Sequence, residues 1–238
     1  MAIFKKRSVL LSSVLLLISL SCSQPAQHLG KVHIAGAMKN VMWKGELNPI
    51  IHLDTIPDKK GLYGLGPLAG LRGEILIKDG QSFQSKVLSD STMLVEETYN
   101  VGAPFFVYAR QQIWSKKPLP RDIETIAVLE RYIEGQMADF KEPFVFKLRG
   151  SINSALIHIQ NLPPGTQVSS PQEAHQGQIN YPLGREEVEI IGFFSKAHQG
   201  IFTHHDTNVH LHLITQDEQK MGHLDEVELG RMDLYLPK

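Results

Sequence analysis

Pro118 and Pro120 stop any regular element at residues 118–120, and a long stretch of helical period follows them. Ile123, Ile126, Leu129, Ile133 and Met137 recur at spacings of three and four, which predicts an amphipathic helix over residues 122–137. On either side the apolar runs are short and end in turn signals. The chain is therefore expected to be α+β, with two β-rich halves packed together, mixed or antiparallel sheets and a few helices. The halves are read as an N-terminal β-rich domain over 31–140 and a C-terminal one over 141–238.

In the first half, residues 32–36 suit a strand and 37–44 a short helix. Residues 57–61 form a turn cluster, and the glycine-rich 62–68 cannot be a regular helix. Asp79-Gly80 is a strong hairpin signal between a strand ending at Lys78 and a return strand over 83–88. Residues 92–97 and 105–109 continue as strands. The second half reads as separate strands over 144–148 and 152–159, a turn at Pro163-Pro164-Gly165 and a polar surface loop over 166–178. Strands over 188–194, 209–215 and 225–229 close the chain.

Lys5-Lys6-Arg7 precedes an apolar run over 9–20 and the small, polar Ser21-Cys22-Ser23. That pattern is a secretory signal over 1–22, too short for a comfortable membrane span, followed by a polar tether over 23–30. Cys22 stands where a lipobox places its lipid-carrying cysteine, although Ser19 occupies a position where leucine is usual. The alternative is a plain cleaved signal. The expected location is outside the cytoplasm, periplasmic or held at the membrane only through a lipid on Cys22. Cys22 is the single cysteine, so no disulfide supports the fold. Net charge is −1, from 24 basic and 25 acidic residues, which points away from a nucleic-acid partner.

Histidine is the unusual count, at 11. His210-Leu211-His212 sets two imidazoles on one face of a strand, because alternate side chains share a face. A turn centred between Glu218 and Gln219 would put His223 opposite Ile214, diagonal to His212 and on the same face. A slip of one residue would turn it away. Three neutral imidazoles with an open fourth position make a catalytic zinc arrangement. Read alone, His-x-His is a polar strand face meeting solvent. His204 and His205 read as loop or rim residues.

VHLHLITQDEQKMGHLDEVEL resembles the C-terminal motif of the acetolactate decarboxylase family, in which His-x-His is followed by a hairpin and Gly-His. GLYGLGPLAGLRGEILIKDGQSFQ is similar to that family's glycine-rich turn and Gly-Glu strand. AGAMKNVMWKGEL is similar to its opening helix, and FKLRGSINSALIHI to the strand pair opening its second half. The resemblance runs from about Val32 onward. It implies a two-domain α+β protein, often a homodimer, with zinc on His210, His212 and His223. It implies Glu74 beside the metal as proton donor or ligand, and a small hydroxy-keto acid as substrate, with 2-acetolactate converted to acetoin and carbon dioxide. Read alone, Glu74 is an exposed strand residue.

One departure stands out. The family carries an arginine where Gly150-Ser151-Ile152 places His158, and a histidine offers neither a fixed charge nor a bidentate fork. Arg149, in a regular strand, would face the opposite way. His158 either takes over part of that role or is a half-buried strand residue. Two alternatives follow: a relative acting on another hydroxy or oxo acid, and a non-enzymatic envelope lipoprotein binding a metal or an anion.

Overall fold

Asp79 and Gly80 both take positive φ, 46° and 87°, as a two-residue hairpin turn requires. The computed structural model describes Met1 and residues 30–238. Residues 2–22 of the signal read over 1–22, Cys22 included, and the tether up to Leu29 lie outside the described residues.

In chain order the strands are β1 (Val32–Ala35), β2 (Ile51–His52), β3 (Leu62–Pro67), β4 (Glu74–Lys78), β5 (Gln81–Val87), β6 (Met93–Glu97), β7 (Gly102–Ala103), β8 (Phe106–Arg110), β9 (Trp114–Pro118), β10 (Phe144–Ile159), β11 (Ile179–Leu183), β12 (Glu186–Phe194), β13 (Val209–Thr215) and β14 (Met221–Pro237). The helices are α1 (Met38–Lys44), α2 (Ile126–Gln136) and α3 (Pro171–Ala174). One sheet runs β1-β8-β3-β4-β5-β6, a second runs β11-β10-β12-β13-β14-β9, and β2 pairs with β7. Because β10 also pairs with β14, strands β10, β12, β13 and β14 close a ring. Every named pairing is antiparallel. The α+β class with two β-rich sheet systems is as expected.

The helix after the proline break starts at Ile126, capped by Thr125, whose hydroxyl accepts from the Val128 N–H at 3.4 Å. Its apolar face buries Leu129 and Ile133 in the core of the second sheet. Burying each stabilises the fold by about 1.5–3 kcal/mol.

Five local expectations change. The two strands expected over 144–148 and 152–159 are one strand, β10, bent through register shifts beyond Gly150. Gly150 has φ 147°, and a Cβ there would lie 2.1 Å from the Arg231 carbonyl oxygen. Residues 114–118, just ahead of the break, form β9 on the edge of the second sheet, where Pro118 and its missing N–H are tolerated. The closing strand runs well past 225–229, and residues 179–183 form a further strand. The polar stretch 166–178 contains α3, with Ser170 as its cap.

The two sheets meet through a shared apolar cluster. Tyr63, Leu65, Leu76 and Val107 from the first pack with Phe193, Ile214 and Met221 from the second. This contact brings the start of β4 to the ends of β13 and β14.

Candidate metal centre

His210 and His212 lie on β13, and both are buried. The following loop is closed by the Thr215 N–H donating to the Lys220 carbonyl at 2.9 Å, with Glu218 at φ 59°. The turn is therefore centred one residue earlier than expected. His223 stands directly across from His212, and Ile214 opposes Met221. Directly paired residues share a face, so the three imidazoles still converge. One nitrogen from each of His210, His212 and His223 lies within 4.8 Å of the others. Ring centroids are 5.0 Å apart for His210 and His212, 5.1 Å for His210 and His223, and 5.4 Å for His212 and His223.

Glu74 opens β4 on the other sheet. It is buried, in contrast to the exposed strand residue its local sequence suggests, because the second sheet covers it. Its Oε2 lies 3.8 Å from His212 Nε2, and its Oε1 accepts from the Gln160 N–H at 3.1 Å. Gly73 has φ 144° in front of it, and a Cβ there would sit 2.3 Å from the Ser85 carbonyl oxygen. Only glycine lets the chain turn into β4 with Glu74 aimed inward.

His158 faces the same cluster from β10. It is directly opposite His223, with ring centroids 4.6 Å apart. Gly222 allows that approach, since a Cβ there would lie 2.6 Å from the His158 carbonyl oxygen. The His158 Nδ1–H donates to both carboxylate oxygens of Asp225 at 2.8 Å. Arg149 is directed elsewhere, donating from Nη2 to Glu189 at 3.0 Å.

Four residues that sequence reasoning did not select also belong here. Asp225 is two residues from His223, and Gln160 is two from His158. The same alternation that singles out His210 and His212 would have found both. His204 and His175 sit in loops, where no period marks them. His204 reaches 5.4 Å from the His223 ring centroid, so the rim residue is part of the lining. Met38, Met42, Leu71 and Phe105 supply an apolar wall to a cavity of about 30 Å³ shared with Glu74, His158, Gln160, His175, His204, His210 and His223.

The electrostatics follow from burial. Loss of water holds His212 and His223 well below the ordinary imidazole value, and His210 down to about 3, with neighbouring histidines adding to the effect. All three are therefore neutral, as metal ligation requires. Burial also raises the Glu74 carboxyl well above its usual range, against the Gln160 N–H that favours the anion. His210 Nδ1 and both ring nitrogens of His212 are buried without a hydrogen-bond partner among the described residues. Each orphaned buried group costs about 1–3 kcal/mol. A cation among the three rings removes part of that cost, so the donor set fits a divalent metal of the imidazole-binding kind.

A family model described as alpha-acetolactate decarboxylase matches residues 37–237. A relative from Lactococcus lactis subsp. cremoris, described as alpha-acetolactate decarboxylase, is 26% identical over 211 residues, covering 84% of this chain and 80% of the relative. The crystal structure of alpha-acetolactate decarboxylase from Bacillus subtilis strain 168 aligns with a TM-score of 0.73 at 19% identity, over 87% of this chain and 86% of that one. A Staphylococcus aureus protein of unknown function, described as similar to alpha-acetolactate decarboxylase, aligns with a TM-score of 0.71 at 15% identity, over 86% of this chain and 84% of that one. At these identities the two structures establish the fold.

Proposed function

This chain belongs to the alpha-acetolactate decarboxylase family, and on that premise we propose that it decarboxylates 2-acetolactate to acetoin and carbon dioxide with a zinc ion on His210, His212 and His223. The observation that carries the reading is the meeting of Glu74 with the three imidazoles. A metal-storage or anion-binding protein needs the histidines but has no use for a buried carboxyl 3.8 Å from one of them.

Held on His210, His212 and His223, a zinc ion would supply a Lewis acid able to stabilise the electron density left on a β-keto acid as carbon dioxide departs. The chain's own residues do the rest. Glu74, whose carboxyl burial pushes well above its usual range, is placed to hold the proton that the carbanion carbon must receive. Met38, Met42, Leu71 and Phe105 keep water from delivering that proton without control. His158, held by Asp225, presents its other ring nitrogen beside them. A five-carbon acid needs more room than the cavity offers, and α1, Leu71, His175 just past α3 and the His204 loop contribute lining from outside the two sheets.

The test is incubation of the zinc-supplemented protein with racemic 2-acetolactate, following acetoin. Metal-dependent acetoin is expected, and none formed at any zinc level overturns the reading. Residues 1–22 are read as an export signal with a lipid on Cys22. That reading is tested by Cys22→Ser, which should move the protein from the membrane to the soluble fraction. An unchanged membrane fraction refutes the anchor.

A further inference from the structure

Gln160 carries a buried amide whose hydrogen-bond polarity is set by its neighbours. An amide NH2 only donates, and Gln160 Nε2 donates to Gln178 Oε1 at 3.2 Å. Gln178 Nε2 in turn donates to Asn180 Oδ1 at 2.9 Å. The Gln178 Oε1 acceptor sets the orientation of the Gln160 amide. In that orientation Gln160 Oε1 is buried with no donor among the described residues. Gln160 is 4% exposed and lines the cavity with Glu74 and His223, and its backbone N–H ties it to Glu74.

An unpartnered amide oxygen on a residue lining this cavity can discriminate among the groups of a 2-hydroxy-3-keto acid. The carboxylate and ketone oxygens only accept, and only the hydroxyl donates. We propose that Gln160 Oε1 accepts the hydroxyl hydrogen of a bound 2-hydroxy acid and so sets the preference for hydroxy acids. The inference rests on the decarboxylase reading for its substrate class. Gln178 is a positioning residue that acts through the Gln160 amide. Sites built around a substrate hydroxyl lose affinity for analogues that lack it, because the buried polar partner is left unpaired.

The experiment compares two unreactive probes, 2-hydroxy-2-methylbutanoate and 2-methylbutanoate, binding to zinc-loaded protein by calorimetry. The wild type should prefer the hydroxy acid, and Gln160→Met should reduce the ratio of affinities about three- to tenfold. Comparing ratios removes any direct effect of the hydroxyl on the metal. Should Gln160→Met fail to fold, Gln178→Ala serves instead, since Gln178 is half-exposed and its loss frees the Gln160 amide to rotate. It should also lower the ratio. A ratio equal to wild type in each folded variant overturns the proposal, as does a wild type that does not prefer the hydroxy acid. Acetoin formation is followed in parallel. A shifted ratio without acetoin supports the hydroxyl contact and refutes the decarboxylase reading, and acetoin with an unshifted ratio does the reverse.

Discussion

Glu74 and His212 belong to different sheets, yet Glu74 Oε2 lies 3.8 Å from His212 Nε2 with both side chains buried. The acid is brought to the imidazoles by packing between sheets. Glu74→Gln keeps the volume and removes the proton. It should retain one zinc per chain by elemental analysis while acetoin formation falls about 10²- to 10⁴-fold. Loss of the metal together with the activity would make Glu74 a ligand instead.

Gly73→Ala tests how Glu74 is aimed. The added methyl would meet the Ser85 carbonyl oxygen at 2.3 Å and Leu68 Cδ1 at 2.4 Å, at a φ of 144°. The strain should cost about 1–3 kcal/mol in a urea titration. Because the three histidines sit on the other sheet, zinc content should hold while the rate falls. A variant with wild-type rate would show that β4 tolerates the shift.

Acid should destabilise the metal-free protein. His210, His212 and His223 are held below the ordinary value of 6.5, so the unfolded chain binds more protons as the pH falls through 6.5. Stability then declines toward the folded value of His210, about 3. The slope is at most about 1.4 kcal/mol per pH unit for each imidazole. Glu74 works in the opposite sense. Its raised folded value favours the native state below 4.5, and that contribution is lost as the pH rises toward the folded value. Three imidazoles outweigh one carboxyl, so these groups give a net loss of stability as the pH falls below 6.5. Denaturant midpoints across a pH series check this. Glu74→Gln should keep the acid decline and steepen it, because the opposing carboxyl is gone.

Lys147 is buried with its Nζ 3.8 Å from Glu189 Oε1, donating to the Tyr63 hydroxyl at 2.9 Å. The rings of Tyr63, Trp114 and Tyr235 surround it at 5.0–5.3 Å. Glu189→Ala strands that ammonium and should cost about 3–5 kcal/mol. Lys147→Met combined with Glu189→Leu should be close to neutral by the same urea titration. Similar losses for the two would mean that packing, not charge, holds this junction.

Much of the local structure was readable because its cause is local. Asp79-Gly80 dictates a turn through φ, the three- and four-residue spacing of Ile126, Leu129 and Ile133 dictates a helix, and alternation sends His210 and His212 to one face. The same alternation held Gln160 and Asp225 in plain view, unread because amides and carboxylates are common on strands. The loop register escaped by one residue, since Thr215 and Lys220 close the turn around Asp217 and Glu218. His223 reached the same face all the same.

Chain neighbours therefore settle which side chains point together, because backbone geometry repeats over two or four residues. They do not settle what covers a face. The burial of Glu74, the arrival of His204 and His175 from loops, and the pairing of His158 with Asp225 all depend on segments distant in sequence. The protonated acid and the neutral imidazoles result from desolvation, which exists only once the two sheets have closed on one another.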